Sequence, residues 1–313
     1  MTQSVVLVNP IYAPTQAELE STYQVHKLWE ASDKSKLLAE VAGDVRAIAT
    51  DGGSGASAGL LKQLPKVEVV TVFGVGVDAV DLDYCKSKGI RVGNTPDVLS
   101  DDVADLALAL CLASYRQIAN GHNYARDGLW ETDGPMHLTA KFSGSRVGIF
   151  GLGRIGLAIA RRLAGFDCHI SYCNRNQRED VDYKYFADVR EMAESVDCLI
   201  LAVAPTPEMA GFINADVLAA LGPTGHIVNI SRGLVIDESA LIQALSEKKI
   251  AGAGLDVFAH EPAIPAALRK LPNVILQPHV ASGTVQTRTA MGKLMLENLS
   301  KYLKGEELTA FVA

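Results

Sequence analysis

The run Val147-Gly148-Ile149-Phe150, followed by Gly151-Leu152-Gly153-Arg154-Ile155-Gly156 and an apolar stretch to Leu163, constrains this chain more than any other segment. It is a GxGxxG run that follows a strand-like stretch and opens a helix-like one. Gly151 permits a tight turn, Gly153 lets the backbone approach a phosphate, and Gly156 allows a helix to pack closely on a strand. The helix start then offers unpaired N–H groups to an anion. A bare GxGxxG says little. In this setting, residues Gly151, Leu152, Gly153, Arg154, Ile155 and Gly156 are expected to form the pyrophosphate turn of a dinucleotide site.

The next strand candidate, His169–Cys173, ends in Asn174-Arg175-Asn176. An acid at its end serves the ribose 2′-OH of NAD. Here Asn174 takes the acidic position and Arg175 follows. A neutral amide removes repulsion of a 2′-phosphate, and a guanidinium can pair with one. The expectation is a site formed by Asn174, Arg175 and Asn176 that prefers NADP(H), with NAD(H) left open. The plainer reading of Arg175 is a solvated surface charge.

The rest of the chain repeats the alternation. Val5–Val8, Val45–Ala49, Val67–Phe73 and Ile90–Val92 read as short buried strands, with helix-like stretches Ala17–Glu30 and Lys34–Ala42 between the first of them. A helix is expected to start at Ser100-Asp101-Asp102 and to run on from Val103 to Ile118, its acids suited to the positive end of the dipole. The second series continues through Val147–Phe150, His169–Cys173, Cys198–Ala202, His226–Ile230, Gly252–Val257 and Val274–Gln277. A last helix, Val285–Leu303, has no strand after it. Short apolar strands alternating with amphipathic helices predict an α/β protein with parallel sheets. At 313 residues the chain is too long for one ordinary core.

Three polar groups follow strand-like runs of the second series: Ser231-Arg232-Gly233, His260-Glu261-Pro262 and Pro278-His279. Ligands of open α/β sheets bind beyond the carboxyl ends of the strands, so all three can face one crevice. Reduction of a keto acid needs a fixed cation to hold the carboxylate and polarise the carbonyl, which Arg232 can supply. It needs a proton donor, and histidine titrates in the right range for His279. It needs a carboxylate to orient and charge the imidazole, which suits Glu261. Each alone has a bland reading: a surface Arg, a capping His, a Glu before Pro. Their joint placement carries the argument.

With these residues in place, the chain resembles the D-isomer-specific 2-hydroxyacid dehydrogenase family. Within it, it is most similar to the glyoxylate/hydroxypyruvate reductases and the related hydroxyphenylpyruvate reductases. The resemblance rests on Phe73-Gly-Val-Gly-Val-Asp78, Asn94-Thr-Pro-Asp-Val-Leu99, Gly151 to Gly156, Ser231 to Gly233, Gly254-Leu-Asp-Val-Phe258, Glu261-Pro262 and Pro278-His279, which span nearly the whole chain. It implies that Arg232, Glu261 and His279 are the catalytic set, with Arg232 and His279 touching substrate. It implies that Asp256 holds the nicotinamide carboxamide and that the N–H groups of Val75 and Gly76 bind the substrate carboxylate, as a Gly-rich anion nest can. It also implies two Rossmann-like or flavodoxin-like parallel-sheet domains with an active-site cleft between them: residues 1–97 with 285–313 for substrate, and 98–284 for the dinucleotide. A homodimer is expected from the resemblance and from the Ala/Leu-rich helix at Val103–Ile118 with its following arm.

The activity implied is NAD(P)H-dependent reduction of a small 2-keto acid, such as glyoxylate or hydroxypyruvate, to the D-2-hydroxy acid. The alternatives are an aryl-pyruvate or D-lactate-type reductase and, in a different class, a dinucleotide-sensing corepressor-like binding protein. A net charge of −7 disfavours nucleic acid and anionic membranes as partners. No basic leader precedes a long apolar run at Met1–Val8, and no run nears the roughly 18 apolar residues of a membrane span. Five cysteines without a CxxC point to free thiols and a cytoplasmic setting. The histidines have no metal-ligand spacing, so no metal is expected.

Overall fold

The structure, a computed structural model, describes residues 3–313. Met1 and Thr2, at the start of the segment read as lacking a basic leader, lie outside the described residues. The chain divides into two compact units, residues 1–99 with 282–313, and residues 100–281.

The first unit contains β1 (Ser4–Leu7), α1 (Ala13–Thr22), β2 (Gln24–Lys27), α2 (Lys34–Val41), β3 (Val45–Asp51), α3 (Ala58–Gln63), β4 (Val69–Phe73), α4 (Leu82–Lys88) and β5 (Arg91–Gly93). Its sheet has the order β2-β1-β3-β4-β5, with all neighbours parallel. β1 and β4 are buried along their whole length, which is why they read as continuous apolar runs rather than alternating ones. Val6, Ile48, Val70 and Val92 from the strands pack with Leu38, Leu61 and Cys85 from the helices. Each such aliphatic side chain contributes roughly 1.5–3 kcal/mol by leaving water.

The expected helix over Ala17–Glu30 is corrected here. The helix starts four residues earlier, with proline in its first turn, and stops at Thr22, where Tyr23 turns extended at φ −125° and ψ 159°. Gln24–Lys27 then pairs with β1 as the edge strand, Ser4 opposite Gln24. The sheet edge supplies backbone partners that no local pattern could reveal.

The second unit opens with α5 (Ser100–Arg116), α6 (Ile118–Arg126) and α7 (Leu129–Thr132). The expected run to Ile118 is interrupted at Gln117, whose φ of 48° breaks the helix. There follow β6 (Arg146–Phe150), α8 (Arg154–Leu163), β7 (His169–Cys173), β8 (Lys184–Phe186), α9 (Val189–Glu194), β9 (Cys198–Leu201), α10 (Ala215–Leu221), β10 (His226–Asn229), α11 (Glu238–Ser246), β11 (Gly252–Leu255), α12 (Ala266–Arg269) and β12 (Val274–Leu276). The sheet order is β12-β11-β10-β9-β6-β7-β8. β6 has β9 on one side and β7 on the other, so strand order reverses at the carboxyl end of β6, the kind of place where open α/β sheets take ligands. Arg162 of α8 pairs with Asp101 and Asp105 of α5, fixing one helix against the other. The chain then returns to the first unit as α13 (Val285–Leu303), capped by the Thr284 hydroxyl, which accepts from the Thr287 amide. Among the described residues, no helix is long and apolar enough to cross a membrane.

Candidate active site

The glycine-rich turn sits at the switch point. Gly151 has φ 101°, and a Cβ there would lie 2.5 Å from the Val203 backbone. A Cβ on Gly156 would lie 2.2 Å from the Gly151 carbonyl oxygen, so close helix-on-strand packing requires glycine. Gly153 is different: a Cβ there would meet nothing within 4 Å. It stands at the N-cap of α8 and makes no side-chain cap hydrogen bond, so no side chain of its own covers the start of the helix. That cradle fits a dinucleotide pyrophosphate.

The loop after β7 is tied to this turn. The Gly151 amide donates to the Cys173 carbonyl at 3.0 Å, and the Leu152 amide donates to Asn174 Oδ1 at 2.7 Å. Arg178, which sequence reasoning passed over, donates from Nη1 to the Leu152 carbonyl at 3.0 Å and pairs with Asp180. Its own amide donates to the Tyr172 hydroxyl. The available signal was a second arginine in Asn174-Arg-Asn-Gln-Arg178. Arg175 and Asn176 are exposed. The Glu208 carboxyl is held below its usual range by the Thr206 hydroxyl first, then by its own amide and by the charge of Arg175.

The three candidate catalytic residues come from successive strand ends. Arg232 follows β10. Asn229, fully buried, accepts from the Ser231 amide and hydroxyl through Oδ1 and donates from Nδ2 to the Arg232 carbonyl at 2.9 Å, so it braces the backbone on both sides. Gly233 is forced to be glycine because a Cβ would overlap the Phe258 backbone. Glu261 follows β11. Its Oε1 accepts from the Phe258 amide at 2.9 Å, and its Oε2 lies 2.6 Å from His279 Nδ1. Burial pushes the Glu261 carboxyl up, yet the His279 hydrogen bond, the Phe258 amide and the charges of His279 and Arg232 outweigh it and hold it below the usual range. An ionised carboxylate only accepts, so Nδ1 carries the proton toward Glu261 and Nε2 takes no part in that pair.

His279 follows β12 in an unusual conformation, φ 54°. The cause is Asp256, which is fully buried. Its carbonyl accepts from the His279 amide at 2.8 Å, and its two carboxylate oxygens accept from the Val280 and Ala281 amides at 2.8 and 3.0 Å. Burial dominates at Asp256 and raises its carboxyl above the usual range, against the pull of the Val280 and Ala281 amides and of the His279 charge. These bonds over-determine the backbone at His279 and offset a strain of roughly 1–3 kcal/mol.

Val75 and Gly76 lie in the first unit, just after β4. Gly74 has φ 153° there, and Asn94 Nδ2 donates to the Val75 carbonyl at 2.9 Å. Among the described residues, no group of three His, Cys, Asp or Glu side chains is placed to hold a metal.

Residues 108–281 match the sequence pattern of the D-isomer-specific 2-hydroxyacid dehydrogenase NAD-binding domain. The chain belongs to the D-isomer-specific 2-hydroxyacid dehydrogenase family. As a member it is a nicotinamide-dependent oxidoreductase that interconverts 2-keto and 2-hydroxy acids. Over 304 residues, 97% of each chain, this dehydrogenase is 46% identical to a hydroxyphenylpyruvate reductase of Plectranthus scutellarioides. It is 44% identical over 304 residues, again 97% of each chain, to a glyoxylate/hydroxypyruvate reductase of Arabidopsis thaliana. An NADPH-dependent glyoxylate/hydroxypyruvate reductase of Sinorhizobium meliloti, solved with NADP and malonate, is 41% identical and superposes with a TM-score of 0.94, covering 100% of this dehydrogenase and 97% of that chain.

Proposed function

We propose that this dehydrogenase works as an NADPH-preferring reductase of small 2-keto acids such as glyoxylate and hydroxypyruvate, with Arg232, Glu261 and His279 as its catalytic residues. The observation that carries the reading is the 2.6 Å Glu261–His279 pair within reach of the Arg232 charge, at the ends of neighbouring strands. The relatives named above act on glyoxylate, hydroxypyruvate and hydroxyphenylpyruvate, and the Sinorhizobium enzyme uses NADPH.

The nicotinamide, when bound, supplies the hydride. Residues Gly151 to Gly156 and Asn174 to Asn176 would hold the dinucleotide, and Asp256 its carboxamide end. Each Asp256 oxygen keeps a lone pair beyond its backbone donor for that purpose. Arg232 holds the keto acid by its carboxylate and draws electron density to the carbonyl oxygen. His279 delivers a proton from Nε2 to that oxygen, which leaves the imidazole neutral until solvent reprotonates it. Glu261 keeps the ring in its Nδ1–H orientation and offsets its positive charge before transfer. The Val75 and Gly76 amides are the second anchor of the carboxylate.

We assign residues 1–97 with 285–313 to the substrate and residues 98–284 to the dinucleotide. We also propose a homodimer. Ile118, Trp130 and Leu138 stand exposed on the segment after α5, Leu138 at 97%, and offer an apolar face to a second copy. The five free thiols, including Cys111 and Cys198 with their sulfurs 3.8 Å apart, suit a reducing cytoplasm, and we place the enzyme there.

A steady-state screen of glyoxylate, hydroxypyruvate, pyruvate, phenylpyruvate and 4-hydroxyphenylpyruvate with NADPH and NADH tests the reading. The highest kcat/KM should fall on glyoxylate or hydroxypyruvate with NADPH. A clear preference for the aryl acids would reassign the substrate, and one for NADH would reassign the cofactor. Light scattering should give twice the chain mass at micromolar concentration.

A further inference from the structure

We propose that Asn94 is a positioning residue for the substrate anchor: its side chain holds the Val75–Gly76 peptide so that the Gly76 N–H, rather than the Val75 carbonyl, is presented to a 2-keto-acid carboxylate. The inference rests on the reading of Val75 and Gly76 as that anchor.

The turn after β4 runs Phe73-Gly74-Val75-Gly76, a single side chain between two glycines. Glycine accepts either sign of φ at little cost, so a peptide plane in such a turn can flip. The two orientations are opposite in effect. A trans peptide is planar, with C=O and N–H pointing in opposite directions. The Val75–Gly76 bond is not a cis peptide. One orientation therefore offers a donor to an anion, and the other offers a carbonyl oxygen that repels it. Neither the Val75 nor the Gly76 amide donates to a backbone carbonyl among the described residues. The ordinary backbone ladder does not decide the orientation at this peptide.

Asn94 decides it. Its side chain lies 2.9 Å from the Val75 oxygen. A carbonyl only accepts, so the contacting atom must be the amide nitrogen, and the carbonyl is held on the Asn94 side. The Gly76 N–H is then turned to the opposite side. The adjacent Thr95 amide donates to the Gly74 carbonyl at 2.9 Å and fixes the start of the same turn.

Asn94 is itself held. It is buried, and its backbone carbonyl accepts from Asn298 Nδ2 at 3.1 Å. Asn298, fully buried on α13, accepts from the Ala310 amide through Oδ1 at 3.0 Å. The Val92 amide donates to the Ala313 carbonyl, and the Val312 amide to the Val92 carbonyl, both at 2.8 Å. The last residues of the chain thus cover the open edge of β5 and brace, through Asn298 and Asn94, the peptide that meets substrate. Gly93 permits this approach, since a Cβ there would lie 3.0 Å from the Ala310 oxygen.

The test uses full-length enzyme loaded with reduced cofactor and oxamate, an unreactive 2-keto-acid analogue, as probe. Asn94→Ala removes the donor. Asn94→Asp, at pH 8, replaces it with an acceptor facing the Val75 carbonyl and favours the flipped peptide. Loss of a charge-assisted hydrogen bond should raise oxamate Ki and keto-acid KM together by about 10–100-fold. The Asp variant should be worse than the Ala variant, with kcat reduced less than KM is raised and cofactor affinity within about twofold of wild type. Labelling valine with 13C at the carbonyl and glycine with 15N isolates the Val–Gly peptides by NMR. The Val75–Gly76 resonance should respond to oxamate in wild type and lose that response in Asn94→Asp. An oxamate Ki unchanged in both variants, while the wild-type resonance responds, overturns the role of Asn94 and leaves the anchor standing. Equal losses in both variants, matched by an equal loss of cofactor affinity, also overturn it, because that pattern is general structural damage. A wild-type resonance that ignores oxamate overturns the anchor reading beneath it.

Discussion

Asn174 accepts a hydrogen bond from the Leu152 amide through Oδ1 at 2.7 Å, so the side chain that follows β7 is clasped to the glycine-rich turn that follows β6. This contact settles which end of the amide is committed. The oxygen faces the turn, and the NH2 group is the end that this bond does not use. A donor there suits a 2′-phosphate, whereas an aspartate would keep the Leu152 bond with one oxygen and offer a charged acceptor with the other.

Asn174→Asp should therefore invert cofactor preference without loosening the turn. The ratio of kcat/KM for NADPH over NADH should fall by about 10–100-fold, from lost pairing and added repulsion. Arg175→Ala should weaken NADPH alone. Steady-state kinetics with both cofactors at saturating keto acid decide this, and a ratio that moves less than about twofold would show that Asn174 does not read the 2′ position.

Arg232→Ala should lower kcat/KM by about 100–1000-fold, as when an oxyanion donor is removed, while the melting temperature stays near wild type. Arg232→Lys keeps the charge but not the planar fork and should recover only part of the loss. A tenfold or smaller loss in the alanine variant would mean that the substrate is anchored elsewhere.

The Glu261–His279 pair predicts a pH signature. Glu261 Oε2 lies 2.6 Å from His279 Nδ1, and the His279 hydrogen bond, the Phe258 amide and the charges of His279 and Arg232 hold the Glu261 carboxyl below its usual range against burial, so a negative charge stands beside the ring proposed to deliver the proton. Glu261→Gln keeps a hydrogen bond but removes the charge. The alkaline limb of the reduction profile should move to lower pH, and the acidic limb of the oxidation profile should move the same way. A rate loss with both limbs in place would reduce Glu261 to an orienting role.

His226 predicts the acid stability of the second unit. It is 5% exposed, stacks on Tyr115 at 3.9 Å and shares a 2.8 Å hydrogen bond with Ser114. Burial lowers its pKa to about 4. The unfolded chain protonates near pH 6.5, so between these values it binds the proton that the folded state refuses. The contribution is complete above about pH 6.5 and is lost as pH falls through 4, roughly 3 kcal/mol in all by linkage. Urea unfolding should show this slope in wild type and a shallower one in His226→Gln. Equal slopes would disprove the assignment.

The parallel sheets, the glycine turn and the three strand-end groups were legible because each depends on local chemistry. A GxGxxG after an apolar run can hardly serve another geometry, and a buried parallel strand announces itself by lacking alternation. The sequence by itself determined the chemistry available: a guanidinium, a carboxylate and an imidazole at successive strand ends, and an amide where an acid would stand. Tertiary structure alone decided where the chain changed conformation and what each polar atom touches. Gln24–Lys27 became a strand because β1 offered it a parallel edge. Asp256 could not be seen as the brace of His279, because its bonds to Val280 and Ala281 join residues some twenty-five positions apart. Asn94 gave no chemical hint of acting on Val75, nineteen residues earlier. Composition and spacing report which groups a chain owns. Only the folded backbone brings distant donors and acceptors within 3 Å, and at that distance one hydrogen bond chooses the direction in which a peptide or a side chain faces.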